Sequence, residues 1–128
     1  MKEAIATEQA PKAIGPYSQA IKANGFLFAS GQIAIDPATG QVIEGGISEQ
    51  TERVMQNIAA ILTKAGTNFG NIVRATVFLK SMSDFTAMNE IYGKHMTANG
   101  AVPPSRSTVA VAGLPRDVLV EVDVIATV

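Results

Sequence analysis

Near its C-terminus the chain runs Val118-Leu119-Val120-Glu121-Val122-Asp123-Val124-Ile125, and this segment constrains the fold more than any other. Valine occupies every second position, so a strand here places four valines on one face. A β-branched stripe of that kind fits a sheet face covered by other elements. Leu119, Glu121, Asp123 and Ile125 take the other face and mix acids with large apolar groups. Left open, such a face is an expected subunit interface.

The remaining elements follow from local signals. Residues 1–7 predict a first strand, and 9–15 a loop closed by Gly15-Pro16-Tyr17. Segments 20–23 and 26–30 flank Asn24-Gly25, the strongest short hairpin signal. Asp36-Pro37-Ala38-Thr39-Gly40 and Gly45-Gly46 read as turns. Ser48 is the expected cap of a helix to about Ala65, with Val54, Ile58, Ile61, Leu62 and Ala65 on one face and Gly66 at the stop. Residues 72–80 read as a strand with Val73, Ala75, Val77 and Leu79 on one side. Ser83 or Asp84 caps a second helix to about Thr97, with Phe85, Met88 and Tyr92 inward. Strands at 107–112 and 118–127 end the chain, joined through Leu114-Pro115-Arg116-Asp117. The order β-β-β-α-β-α-β-β gives antiparallel hairpins at both ends and parallel crossovers through the helices. The expected class is α+β, a single mixed β-sheet with both helices packed on one face.

The 128 residues suit one domain with a real core, and no linker or internal repeat divides 1–128. Only 16% of residues are charged, against about 25% in a typical soluble domain. A small chain with so few charges is expected to bury surface in a homo-oligomer. The net charge is −1, the pI is about 5.7, and no basic stripe exists, which argues against nucleic acid as partner. With no cysteine, disulfides, thiolate metal sites and a cysteine nucleophile are excluded. His95 is the one histidine, and no carboxylate spacing around it suggests a metal. There is no N-terminal h-region and no apolar run of about 18 residues, so the expectation is a cytoplasmic protein without membrane attachment. No Ser-His-Asp arrangement, phosphate loop or dinucleotide fingerprint is visible.

The chemistry concentrates in Pro103-Pro104-Ser105-Arg106-Ser107-Thr108 and in Glu121 with Asp123. Two prolines stiffen the approach to Arg106. A guanidinium held in this way suits a small carboxylate through two parallel hydrogen bonds, although a structural salt bridge would read the same. Glu121 and Asp123 lie about 7 Å apart on one strand face. Two like charges on a partly dry surface raise at least one pKa and poise a carboxyl for proton transfer. An ion pair to a neighbouring subunit is the alternative. A four-residue loop pairing Gly113 with Val118 would put Arg106 and Thr108 on the Glu121 face; a loop one residue shorter or longer would not. Tyr17, the Ser30-Gly31 pair and Asn89 are weaker candidates, each with a core, turn or interface reading beside the functional one. His95 reads as a residue of the helix surface or edge rather than a general base.

Taken in order, these residues resemble the Rid family, the reactive-intermediate deaminases also called the YjgF family. The resemblance covers nearly the whole chain. It runs through Ile14-Gly15-Pro16-Tyr17-Ser18-Gln19-Ala20, Phe28-Ala29-Ser30-Gly31-Gln32 and the Asp36-Pro37 turn to Gly40. It continues in Gln50-Thr51, Asn57-Ile58, Val77-Phe78-Leu79 and Asn89 with Tyr92, and ends in Pro104-Ser105-Arg106-Ser107, Leu114-Pro115, Glu121-Val122 and Ile125-Ala126. It implies a chorismate-mutase-like fold and a homotrimer with sites in the clefts between subunits. It also implies hydrolysis of enamine and imine intermediates such as 2-iminobutanoate and 2-iminopropanoate. These are released by pyridoxal-phosphate dehydratases, and the products are 2-keto acids and ammonia; the protein itself needs no cofactor. Arg106 then matches the residue that binds the substrate carboxylate, and Glu121 the one that orients or activates water. Tyr17, Ser30, Gly31 and Asn89 match pocket residues. Thr108 stands where many members carry cysteine, so its backbone N–H survives and a thiol does not. Two other readings stay in view: a trimeric sensor of small keto acids without turnover, and an endoribonuclease or translation inhibitor, which the acidic pI disfavours.

Overall fold

A computed structural model describes residues 1–128. Strands β1 (Glu3–Ile5), β2 (Ala20–Ala23) and β3 (Phe26–Gln32) form an antiparallel meander. The β2–β3 turn is Asn24-Gly25, both at positive φ as a tight hairpin requires. A short ribbon, β4 (Ile35–Asp36) with β5 (Gln41–Val42), brackets the predicted Asp36 turn. Helix α1 (Ile47–Ala65) leads to β6 (Ile72–Leu79), and α2 (Phe85–Met96) to β7 (Ser105–Ala110). Strand β8 (Val120–Thr127) ends the chain. The main sheet is ordered β1-β2-β3-β8-β6-β7, so β8 slots between β3 and β6 and pairs antiparallel with both.

One face of the sheet is covered by the helices. Val120, Val122, Val124 and Ala126 of β8 are buried there with Ala75, Val77 and Leu79 of β6. Helix α1 packs Val54, Met55, Ile58, Ile61 and Leu62 against them, and α2 adds Met88, Tyr92 and Met96. Gly66 takes the left-handed conformation (φ 85°) and closes α1 through its N–H to the Leu62 and Thr63 carbonyls, as the sequence predicts.

Four expectations need correction. The cap of α1 is Gly46 rather than Ser48, because Ile47 already packs on the core and Glu49 reaches back to accept the Gly46 N–H at 2.9 Å. Val73 is 43% exposed while Ile72 is buried, because the β6–β8 register slips between Ile72 and Arg74. Ser30-Gly31 does not end a strand; it lies within β3. The fourth correction bears most on function. β7 and β8 form no hairpin. β7 pairs parallel with β6, and the segment 111–119 travels to the far side of β6 before β8 begins. The α2 crossover returns the chain beside β6, and the buried valines of β8 gain two hydrogen-bonded neighbours from the central position.

The open face carries Phe26 and Phe28, 40% and 45% exposed, and Val109 at 43%. Half-buried Phe78, Ile125, Thr76, Arg74, Glu121 and Asp123 lie on the same face. This is the mixed face that the alternation in 118–125 predicts.

Candidate active site

Strand register separates the two principal candidates. Arg106 pairs with Ala75 and Glu121 with Phe78. Ala75 and Phe78 are three residues apart on one strand, so they point to opposite faces. Arg106 and Thr108 belong to the helix-covered face, and Glu121 to the open face. Within one chain the sheet stands between them.

Arg106 projects from edge strand β7 over α2. Its Nη1 donates to Asn89 Oδ1 at 2.6 Å. Its guanidinium carbon lies 4.8 Å from the Tyr92 ring centroid and 5.6 Å from that of Phe85. Asn89 and Tyr92 are three apart on one helix face, so both meet the same cation. Stacking between two rings with one charge-assisted bond fixes the guanidinium plane and leaves its remaining donors for a ligand. Burial raises the Tyr92 hydroxyl pKa, and the Arg106 charge opposes the rise. The Tyr92 hydroxyl and Thr108 Oγ1 are buried without hydrogen-bond partners. This half therefore joins Asn89, Arg106 and Thr108, and adds Phe85 and Tyr92. The sequence reading placed both aromatics simply as inward-facing; their spacing from Asn89 is the signal that could have assigned them here.

The second half surrounds Glu121. From Ala29 to Gln32 β3 advances three residues while β8 moves only two, from Val124 to Val122. Ser30-Gly31 occupies this bulge, which turns Ala29 and Gln32 both inward. The Glu121 carboxyl lies against Gly31 so closely that a Cβ there would sit 2.8 Å from Glu121 Cδ. Burial pushes the Glu121 pKa up, and the Asp123 charge pushes it further. Asp123 is raised too, mainly by burial, with hydrogen bonds from Thr76 and the charge of Arg74 opposing. The expectation of a raised carboxyl holds, although at Glu121 burial outweighs the repulsion from Asp123.

An open cleft of about 500 Å³ runs past this carboxyl. Its walls include Tyr17, Ser30 and Gly31, together with Ile14, Lys12 and Arg116. Tyr17 is 53% exposed, so it is no core aromatic; its hydroxyl accepts the Ile14 N–H at 3.4 Å. The Ser30 N–H donates to the Gln19 carbonyl and its hydroxyl to the Ser18 carbonyl at 2.6 Å, which leaves the hydroxyl oxygen as an acceptor only. Lys12 and Arg116 escaped the sequence reading. Arg116 and Asp117 are consecutive non-glycine residues at positive φ, a feature no local pattern announces. His95 lies outside both halves, where its Nε2 meets Glu52 of α1 at 2.9 Å.

Seven predicted residues thus form two half-sites: Tyr17, Ser30, Gly31 and Glu121 around an acid, and Asn89, Arg106 and Thr108 around a cation. The cation half can hold a small carboxylate. The acid half can hold a water molecule and move a proton.

Comparison with known proteins bears on the family and the fold. The family model described as Endoribonuclease L-PSP matches residues 7–128. A RutC family protein of Pyrococcus horikoshii is 52% identical over 126 residues, covering 98% of each chain. Reactive Intermediate Deaminase A of Arabidopsis thaliana, a chloroplast protein, is 43% identical over 98% of this chain and 66% of its own length. Among solved structures, YyfA of Yersinia pestis, described as a conserved Rid family protein of unknown function, superposes with a TM-score of 0.96 at 48% identity over the full length of both chains.

Proposed function

The chain belongs to the Endoribonuclease L-PSP family, also known as YjgF or Rid, and from that premise we propose that it is an imine deaminase acting on 2-iminobutanoate and 2-iminopropanoate. Water adds to the C=N carbon, ammonia leaves, and a 2-keto acid remains. Arg106, stacked on Tyr92 and anchored by Asn89, grips the substrate carboxylate in a bidentate pair. Glu121, its pKa raised, takes a proton from the attacking water and returns one to the departing nitrogen. The substrate is already electrophilic, so positioning and charge pairing supply most of the acceleration.

The observation that carries the reading is the division of the site by the sheet. A cleft containing both Arg106 and Glu121 needs two copies of the chain. Joining one patch of a copy to a different patch of the next is a heterologous contact, which forms a ring when its rotation closes. A homotrimer meets that requirement and covers Phe26, Phe28 and Val109 on the open face.

Complementation tests this directly. Arg106→Ala and Glu121→Ala chains are each expected to be inactive in a threonine dehydratase assay that times keto-acid release. Mixed in equal amounts, unfolded and refolded together, they restore about one quarter of wild-type activity, because one site in four then draws both residues intact from different copies. No recovery in mixed trimers would refute the intersubunit site. Ligand binding without turnover in the wild type would replace the enzyme by a sensor.

A further inference from the structure

The cleft beside Glu121 is built from three segments, at 11–19, 30–35 and 115–121, in which irregular backbone and the β3 bulge interrupt the sheet ladder. Such backbone must find partners for its N–H and C=O groups outside any ladder. Each segment is tied by one buried carboxamide.

Gln19, 5% exposed, donates from Nε2 to the carbonyls of Thr7 (3.0 Å), Ala10 (3.3 Å) and Pro11 (2.7 Å), and accepts the Thr7 N–H at 2.7 Å. Asn57 is fully buried on α1 and donates from Nδ2 to the carbonyls of Ile33 (3.1 Å) and Ile35 (3.0 Å). Its Oδ1 accepts from Arg53 Nε and Nη2 at 3.1 and 2.8 Å. Gln50, also buried on α1, accepts the Leu119 N–H at 2.9 Å.

Aliphatic residues fill most of the buried face of α1 and would serve the core equally well at 50 and 57. A buried amide is unfavourable unless its bonds are made. Here the bonds made are those that set the cleft walls. We propose that Gln19, Gln50 and Asn57 are positioning residues that preorganise the cleft, each holding one wall in place. The proposal rests on the reading of this cleft as half of the imine site, and assigns the three residues a task carried out through the backbone they hold.

The bond polarities differ, and that yields a test. Gln50 serves only as an acceptor toward Leu119, so Gln50→Glu keeps the bond and Gln50→Met loses it. Toward the carbonyls of the cleft walls Gln19 and Asn57 serve as donors, so Gln19→Glu and Asn57→Asp turn a carboxylate toward carbonyl oxygens. We expect Gln50→Glu to retain most of the wild-type kcat/KM for 2-iminobutanoate hydrolysis. Gln50→Met, Gln19→Glu and Asn57→Asp should lose about 10- to 100-fold, the range for displaced positioning groups. In parallel, amide hydrogen exchange should quicken at Leu119 in Gln50→Met and stay slow there in Gln50→Glu.

Quicker exchange with unchanged kcat/KM and unchanged affinity for 2-ketobutanoate would overturn the proposal, as would equal losses in Gln50→Glu and Gln50→Met. Gln50 makes a single such bond, so its pair of variants decides the matter even where Asn57→Asp does not fold. A wild type without imine turnover fails the enzyme reading alone; the 2-ketobutanoate affinities of the same variants then decide this one.

Discussion

Replacing Gly31 with alanine isolates the contact on which the water-activating role proposed for Glu121 depends. The added methyl would meet the Glu121 carboxyl, with Cδ at 2.8 Å and Cγ at 3.1 Å. Carbon atoms in contact sit about 3.5–4.0 Å apart, so the carboxyl must retreat by about 1 Å. A displacement of that size at a reacting group is worth about 100-fold, or about 2.7 kcal/mol of barrier. The fold should hardly notice. Gly31 is not among the positive-φ glycines, and alanine at a compatible backbone restricts the unfolded chain by about 0.4–1 kcal/mol in favour of folding. The thermal midpoint should therefore move by no more than about 4 °C while kcat/KM collapses. The assay is the dehydratase-coupled release of 2-ketobutanoate, with the melting curve taken on the same samples. The control is Glu121→Ala, which removes the group that the methyl strikes. Added to that background, Gly31→Ala should cost little more. Full turnover in Gly31→Ala, or losses that simply add in the double variant, would refute the reasoning.

Three further outcomes are expected. Arg106→Lys keeps the charge but loses the planar fork on Tyr92, so 2-ketobutanoate should bind about 10- to 100-fold more weakly by isothermal titration, the worth of one charged hydrogen bond; an unchanged affinity would remove Arg106 from the carboxylate site. Because burial, then Asp123, raises the Glu121 pKa, the folded chain holds this proton to higher pH than the unfolded one. The stability tied to that proton is present below the ordinary carboxylate pKa and is lost as pH rises through the raised one. Glu121→Gln should flatten that part of the melting-temperature curve, and equal slopes in both proteins would contradict it. Ile58→Ala empties a fully buried position of α1 and should lower unfolding free energy by about 2–5 kcal/mol in urea titrations, with kcat of the surviving folded protein little changed.

Much of this protein could be read along the chain. The valine alternation of 118–125, the apolar face from Val54 to Ala65, the Gly66 stop and the Asn24-Gly25 turn are local facts. Local periodicity and turn chemistry are set by neighbours within a few residues. They determined the elements, the helix-covered and open faces, and the candidate residues. Partner choice is different. Backbone hydrogen bonding pairs strands without regard to side-chain identity, so nothing in 107–127 announces that β7 joins β6 in parallel while β8 crosses to lie between β3 and β6. Register has the same character, because a slip of one residue exchanges the faces. Only the tertiary structure could therefore decide that Arg106 and Glu121 lie on opposite sides of the sheet. It likewise revealed the bulge that presses Gly31 against Glu121, and the use of Gln19, Gln50 and Asn57 to hold walls far from them in sequence. The chain carries the chemical groups in its local sequence; their division into two half-sites comes from long-range strand pairing, which local sequence does not encode.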